Sequence, residues 1–249
     1  MKRHTEIGMN RTGMDLSKIM SQQMADNANI EATMSPEISS SQSLRSDFFK
    51  SADAIGTVPL PGTLKGIAKT AMQKLSGDRP EVLIDKLGER MAFERTGTRL
   101  YELMIIKCEA DEETPAALIE LLRGIHAEEE KHFHLLHDII KSLGADPTAI
   151  TPSADSMAVM SSGLIQSLSD PRTSVAQGLE ALLTAELVDE AGWDLLSKLL
   201  DDIGVVQFQK EIEAAMQAEE RHLVEVRSWY STFIRGQALK KDLPQDNLH

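Results

Sequence analysis

"EEEKHF", Glu128 to Phe133, and "AEERHL", Ala218 to Leu223, place nearly the same acids, base and histidine twice in one chain. Each lies inside a stretch that otherwise reads as the buried face of a helix. Stepping alternately by four and three residues gives Leu118, Leu122, Ile125, Glu129, His132, Leu136, Ile139 and Leu143 around the first copy. Around the second it gives Phe208, Ile212, Ala215, Glu219, His222, Val226, Trp229 and Phe233. Both are apolar seams of the kind a helix turns toward its neighbours, interrupted by a Glu and, three residues later, a His.

The same rule picks out two more seams. One runs through Val175, Leu179, Leu182, Glu186, Asp189, Trp193, Leu196 and Leu200. The other, less apolar, runs through Leu83, Leu87, Arg90, Glu94, Gly97, Tyr101, Met104 and Cys108. Four helical segments therefore each carry an acid near mid-length. An isolated buried carboxylate loses several kcal/mol of solvation unless it is neutralised or paired, and four together also repel. Bound cations remove both problems. Glu and His at i and i+3 lie on one helical face, so one metal reaches a carboxylate oxygen and an imidazole nitrogen from adjacent turns.

The ordered set Glu94, Glu129-x-x-His132, Glu186 and Glu219-x-x-His222 resembles the ferritin-like di-iron and di-manganese carboxylate proteins, of bacterioferritin or rubrerythrin type, over roughly residues 81 to 235. Thirty-five residues separate Glu94 from Glu129 and thirty-three separate Glu186 from Glu219, intervals suited to antiparallel helices that meet at one height. Ninety-two residues from Glu94 to Glu186, against ninety from Glu129 to Glu219, read as an internal duplication. An aromatic recurs seven residues after each lone Glu: Tyr101 after Glu94 and Trp193 after Glu186.

The resemblance implies an all-α fold, a ferritin-like four-helix bundle with a long crossover between the second and third helices and an N-terminal extension. It implies two metal ions, with Glu94, Glu129, His132, Glu186, Glu219 and His222 as ligands. Glu129 and Glu219 would bridge the ions, while Glu94 with His132, and Glu186 with His222, would complete one ion each. Carboxylates with one imidazole per ion suit iron, with manganese the alternative, better than zinc or magnesium. The implied chemistry is oxidation by O2 or H2O2, as a ferroxidase, peroxidase or oxygenase. Peroxide disproportionation at a dimanganese centre and non-catalytic iron storage or structural metal binding are the competing readings. No cysteine-rich iron domain accompanies the set, so electrons need a separate donor. A homo-oligomer is among the assemblies the resemblance allows.

Neighbouring residues receive lesser roles. Asp189, one turn after Glu186, is a candidate additional ligand or proton carrier, and Glu190 replaces it if the register is off by one. Tyr101 and Trp193 are core aromatics that can also pass protons or electrons. Gly97 either leaves space for a small oxidant or permits close helix packing. Glu128, Glu130, Glu220, Lys131 and Arg221 fall off the seam and read as surface charges. His126, His134 and His137 miss the ligand positions.

Punctuation sets the expected boundaries. Residues 1–56 include the Ser-rich "SPEISSSQS" from Ser35 to Ser43 and are expected to be a disordered tail. Residues 57–79 read as a short amphipathic helix and linker, 80–236 as the helical domain and 237–249 as a C-terminal tail. Pro80, Thr114 with Pro115, and Asp170 with Pro171 are the expected helix starts, and Gly236 the expected stop. Between the second and third long segments, "MAVMSSGLIQSL" suggests a short helix within an unusually long connection.

Composition agrees with helices: 249 residues, 41% hydrophobic and only 4% aromatic. A formal net charge of −13 argues against a grip on nucleic acid or an anionic membrane surface. The single cysteine, Cys108, rules out an internal disulfide. With no secretory signal or apolar span, a cytoplasmic location is expected.

Overall fold

The computed structural model describes residues 17–33, 40–59, 79–239 and 243. Among these every regular element is helical: α1 (Lys18–Thr33), α2 (Ser40–Ser51), α3 (Pro80–Glu109), α4 (Ala116–Ser142), α5 (Pro152–Ser169), α6 (Val175–Ile203) and α7 (Gln209–Leu239), with one 3-10 turn at Val206–Phe208. The protein is all-α. Two units are distinct, α1 and α2 belonging to one and everything from Ile55 onward to the other. The helix expected over 57–79 falls mostly on 60–78, outside the described residues.

Within the segment expected to be disordered, Lys18–Thr33 and Ser40–Ser51 are helical. Ile19, Met24, Phe48 and Phe49 stand out into solvent on it. Helical hydrogen bonds are made within the segment itself, so low apolar content does not by itself forbid them.

In the larger unit, local chemistry starts and stops each helix. Pro80 opens α3, where its missing N–H costs nothing. Pro115, extended at ψ 139, occupies the cap position of α4, while the Thr114 hydroxyl bonds Asp111 rather than the helix. Gly144 and Gly204, both at positive φ, end α4 and α6, and the next residue's N–H reaches back to Ile140 and Leu200 in each case. Thr151 caps α5 and Pro152 opens it.

Two boundaries differ from the sequence expectation. Asp170 ends α5 instead of starting α6, and its carboxylate is taken by Arg172. The next helix starts four residues later, where Ser174 and Gln177 form a capping box. Gly236 does not stop α7, which continues to Leu239. A glycine inside a helix costs only about 1 kcal/mol, which a long helix absorbs.

Helix α3 packs against α4, α5 and α6; α6 packs against α7, and α4 against α7. The expected short crossover helix is real and longer than its motif. It is fastened to α3 by Asp85, whose carboxylate accepts from the Ser153 N–H and hydroxyl. Every seam residue named from sequence is buried except Leu143 and Phe208, which are half-buried.

The apolar interior forms two clusters. One gathers Leu100, Tyr101, Met104, Leu118, Leu122, Leu179, Leu182, Val226 and Trp229 among others. The second gathers Leu83, Leu87, Leu136, Ile139, Trp193, Leu196 and Ile212. Along α3, α4, α6 and α7 alike, the change from one cluster to the other comes at mid-helix. Buried polar residues fill those mid-helix positions: Arg90, Glu94, Glu129, His132, Glu186, Asp189, Glu219 and His222.

Candidate metal centre

The layer between the clusters holds all six residues expected as ligands. Glu94 and Glu219 have no measurable exposure, and even His132, the most open, keeps only 6%. Two donor groups emerge, each with ligand atoms within 4.8 Å of one another: Glu94, Glu129, His132 and Glu219, and Glu129, Glu186 and His222. Glu129 belongs to both.

Both imidazoles present Nδ1 to the carboxylates. His132 Nδ1 lies 2.5 Å from Glu219 Oε1 and 3.8 Å from Glu94 Oε2. His222 Nδ1 lies 3.3 Å from Glu219 Oε2, 3.4 Å from Glu129 Oε1 and 4.0 Å from Glu186 Oε2. These contacts are ion pairs that lack hydrogen-bond geometry, and they do not use up the inward-facing atoms. Both Nδ1 atoms, both oxygens of Glu129 and of Glu219, and Oε2 of Glu94 and Glu186 are buried without a hydrogen-bond partner. Such a concentration of unmet donors and acceptors is costly in a folded interior unless something else satisfies it. A cation shared among carboxylates and imidazole nitrogens satisfies them together, so the residues fit a metal.

The other carboxylate oxygens are spoken for. Trp193 donates its indole N–H to Glu94 Oε1 at 2.9 Å, and Arg90 Nε lies 3.2 Å from the same atom. Tyr101 donates its hydroxyl to Glu186 Oε1 at 2.5 Å. Both aromatics are core packing, as their spacing suggested, and each also holds a candidate ligand.

Asp189 belongs to neither donor group. Its Oδ1 lies 3.1 Å from Arg90 Nη2, making a buried ion pair inside the layer. Glu190 is exposed and plays no part in the layer. The room left by Gly97 is not open: a Cβ there would run into Glu129 Oε2. Gly192 has a matching function, since a Cβ on it would strike the Arg90 guanidinium.

Two participants escaped the sequence reading. Glu128, assigned to the surface, accepts from His222 Nε2 at 2.7 Å and from Arg221 Nη2 at 2.8 Å. It thereby turns the imidazole so that Nδ1 faces inward, the usual partner arrangement for a ligating histidine. A signal existed: Glu128 and Arg221 each immediately precede a candidate ligand and carry opposite charge. Arg90 was on the seam but had no role, although a cation at a buried position opposite acids calls for an ion pair. The remaining outer charges behave as expected, with Glu130, Lys131, Glu220 and His134 exposed.

Electrostatics divides the cluster. Burial, with repulsion from the other acids, pushes Glu94 and Glu129 well above the ordinary carboxylate range and Glu186 up to about 8. Burial also raises Asp189 to about 6, with Arg90 opposing the rise. For Glu219 burial is outweighed by the imidazoles beside it, which hold it down at about 2. Burial would depress His222, but Glu219 and the acids around it raise it to about 9. Without a cation, the layer thus keeps one firmly ionised carboxylate between two imidazoles and drives its neighbours toward protonation. Cys108 lies away from this chemistry, in the apolar cluster with Tyr101, where burial pushes its thiol up to about 12.

Comparison of the chain with protein-family models, curated proteins and solved structures returns no match. No described helix is long and apolar enough to cross a membrane.

Proposed function

We propose that this chain is a ferritin-like dinuclear metal-carboxylate protein, with iron as its metal, that carries out O2- or peroxide-dependent oxidation. The observation that carries the reading is the pair of donor groups sharing Glu129, whose buried inward-facing atoms face one another without a hydrogen bond. In the proposed site Glu94 with His132, and Glu186 with His222, each complete one position. Glu129, common to both donor groups, and Glu219, whose two oxygens each face one imidazole, would serve both. Carboxylate-rich donor sets with one imidazole per position favour iron or manganese.

Two adjacent redox ions, when bound there, would supply two-electron chemistry toward O2 or peroxide, without release of a one-electron oxygen species. The chain's own residues do the rest. Apolar clusters on both sides of the layer exclude water. Tyr101 places a proton at Glu186 Oε1. Cys108 is the sole cysteine and is buried in an apolar cluster, so a separate reductant must restore the electrons.

The test is optical. Metal-depleted protein reconstituted anaerobically with Fe(II) is mixed with O2 or H2O2. Rapid growth of ferric absorption at two irons per chain supports the proposal. Steady O2 release from peroxide by the manganese form assigns the dimanganese reading, and continued uptake of iron far beyond two per chain assigns storage. A reconstituted protein inert to both oxidants leaves only a structural metal site.

A further inference from the structure

Helix α6 carries a second seam, on the side away from the polar layer. Stepping from Thr184 by four, three and four residues gives Val188, Ala191 and Leu195, all exposed, with Leu187 beside them. Leu187 is 49% open to solvent, Val188 42% and Leu195 46%. At about 3.6 residues per turn this seam lies opposite the buried one through Leu182, Glu186, Trp193 and Leu196, so packing within the bundle does not account for it. A helix on the outside of a bundle ordinarily keeps that side polar.

We propose that this outer face of α6 is the contact with a second copy of the chain, the two α6 helices lying antiparallel about a two-fold axis that passes between Val188 and Ala191. The inference is independent of what the polar layer binds. Alternating steps of four and three are those of a two-stranded coiled-coil seam. Pairing about that axis sets Val188 of each copy level with Ala191 of the other, and Thr184 level with Leu195, so a larger side chain meets a smaller one in every layer. Charge selects the same arrangement. Glu180 and Lys198 flank the seam on one side, and antiparallel pairing brings Glu180 of each copy level with Lys198 of the other. Lys198 bonds Asp194 on its own helix but is 68% exposed and free to turn. A parallel pair would instead set Glu180 against Glu180 and Lys198 against Lys198, which opposes association. In a chain of net charge −13, two copies meet only where their charges are matched or absent.

A standard interface uses about 20–30 residues a side. One helix face offers fewer, so the dimer should form and dissociate with concentration. Sedimentation velocity of the full-length protein from about 1 to about 500 μM reads this directly, and the parent should pass from monomer to dimer within that range. Val188→Glu puts an unmatched charge into the contact and should hold the protein monomeric. Glu180→Lys and Lys198→Glu, each alone, set like charges level and should weaken the dimer by about tenfold or more, while the two together should restore it.

Direction is read by crosslinking. Thr184→Cys protein mixed with Leu195→Cys protein under mild oxidation should give mixed disulfides in preference to either like pair, because like positions lie about 16 Å apart along the helix axes, beyond disulfide reach. Cys108 is buried and stays out of the reaction. Circular dichroism checks that each variant remains helical; should Val188→Glu fail there, the charge reversals, at exposed positions, decide alone. A parent that stays monomeric throughout overturns the proposal and leaves the seam to another segment of the chain. A dimer that survives Val188→Glu, or a double charge variant no tighter than the singles, overturns it as well. Like-pair disulfides in preference to mixed ones overturn the antiparallel arrangement.

Discussion

The two halves of the polar layer share their spacing but not their surroundings. Around Glu94 and His132 the nearest extra charge is a buried cation, Arg90, neutralised by Asp189. Around Glu186 and His222 it is a half-exposed anion, Glu128, neutralised by Arg221. At the repeat offset Arg90 corresponds to Leu182 and Asp189 to Gly97. Each half thus carries a charge where the other has a small or apolar seam residue, and the two charges meet. Similar seams can differ inside one core when the unlike residues compensate one another across the interface.

The largest effect expected is from breaking that compensation. Arg90→Leu leaves Asp189 and Glu94 buried without their cation, and loss of one partner of a buried pair costs about 3–5 kcal/mol. Urea unfolding of the metal-free protein should show this. Arg90→Leu combined with Asp189→Gly, which makes the halves alike, should recover a large part of it. Additive losses would mean that the pair is not coupled.

On the other half, Glu128→Gln removes the anion behind His222 and should weaken metal binding by about 10–100-fold, with Glu130→Gln as the silent neighbour. Equal effects of the two would remove Glu128 from the site. Gly97→Ala comes next. It forces Glu129 from its place and, like other overpacked cores, should cost about 1–3 kcal/mol by thermal or urea unfolding. An unchanged stability would show that the carboxylate has room to move.

The subtlest effect is pH dependence. Glu186, raised from an ordinary 4.5 to about 8, keeps a proton in the folded state that the unfolded chain has released, so metal-free stability falls as pH rises through that window. His222, raised from 6.5 to about 9, contributes stability that is whole below 6.5 and lost as pH rises through 9. Glu219, lowered from 4.5 to about 2, works oppositely, its contribution lost as pH falls through 2. Metal-free protein should thus melt at lower temperature at pH 9 than at pH 6. Metal affinity should rise over the same range, with protons released on binding in unbuffered solution. A melting temperature flat from pH 6 to 9 would contradict the burial assigned to these groups.

The sequence made the seams legible because burial at helical spacing repeats along four long segments. Their residues are buried almost to the last one, and the layer of acids and imidazoles lies where the seams break. Helix ends were harder, since Asp170 and Ser174 are both good caps and only three-dimensional packing chooses between them. Glu128 and Arg90 were obscured for another reason. Heptad position tells which way a side chain points, but a long charged side chain at the edge of a seam can reach inward, and its partner lies on another helix more than ninety residues away. The helicity of α1 and α2 was hidden because composition reports the lack of a core, not the absence of local hydrogen bonding.

The central claim is that the unmet donors of the polar layer hold two metal ions between them. Metal-depleted full-length protein, loaded anaerobically with Fe(II) and freed of excess by gel filtration, is assayed for iron per chain by mass spectrometry, alongside Glu129→Ala and Glu219→Ala. Two irons in the parent and well under one in each variant is the predicted result. A parent with none, or variants that retain as much iron as the parent, would contradict it.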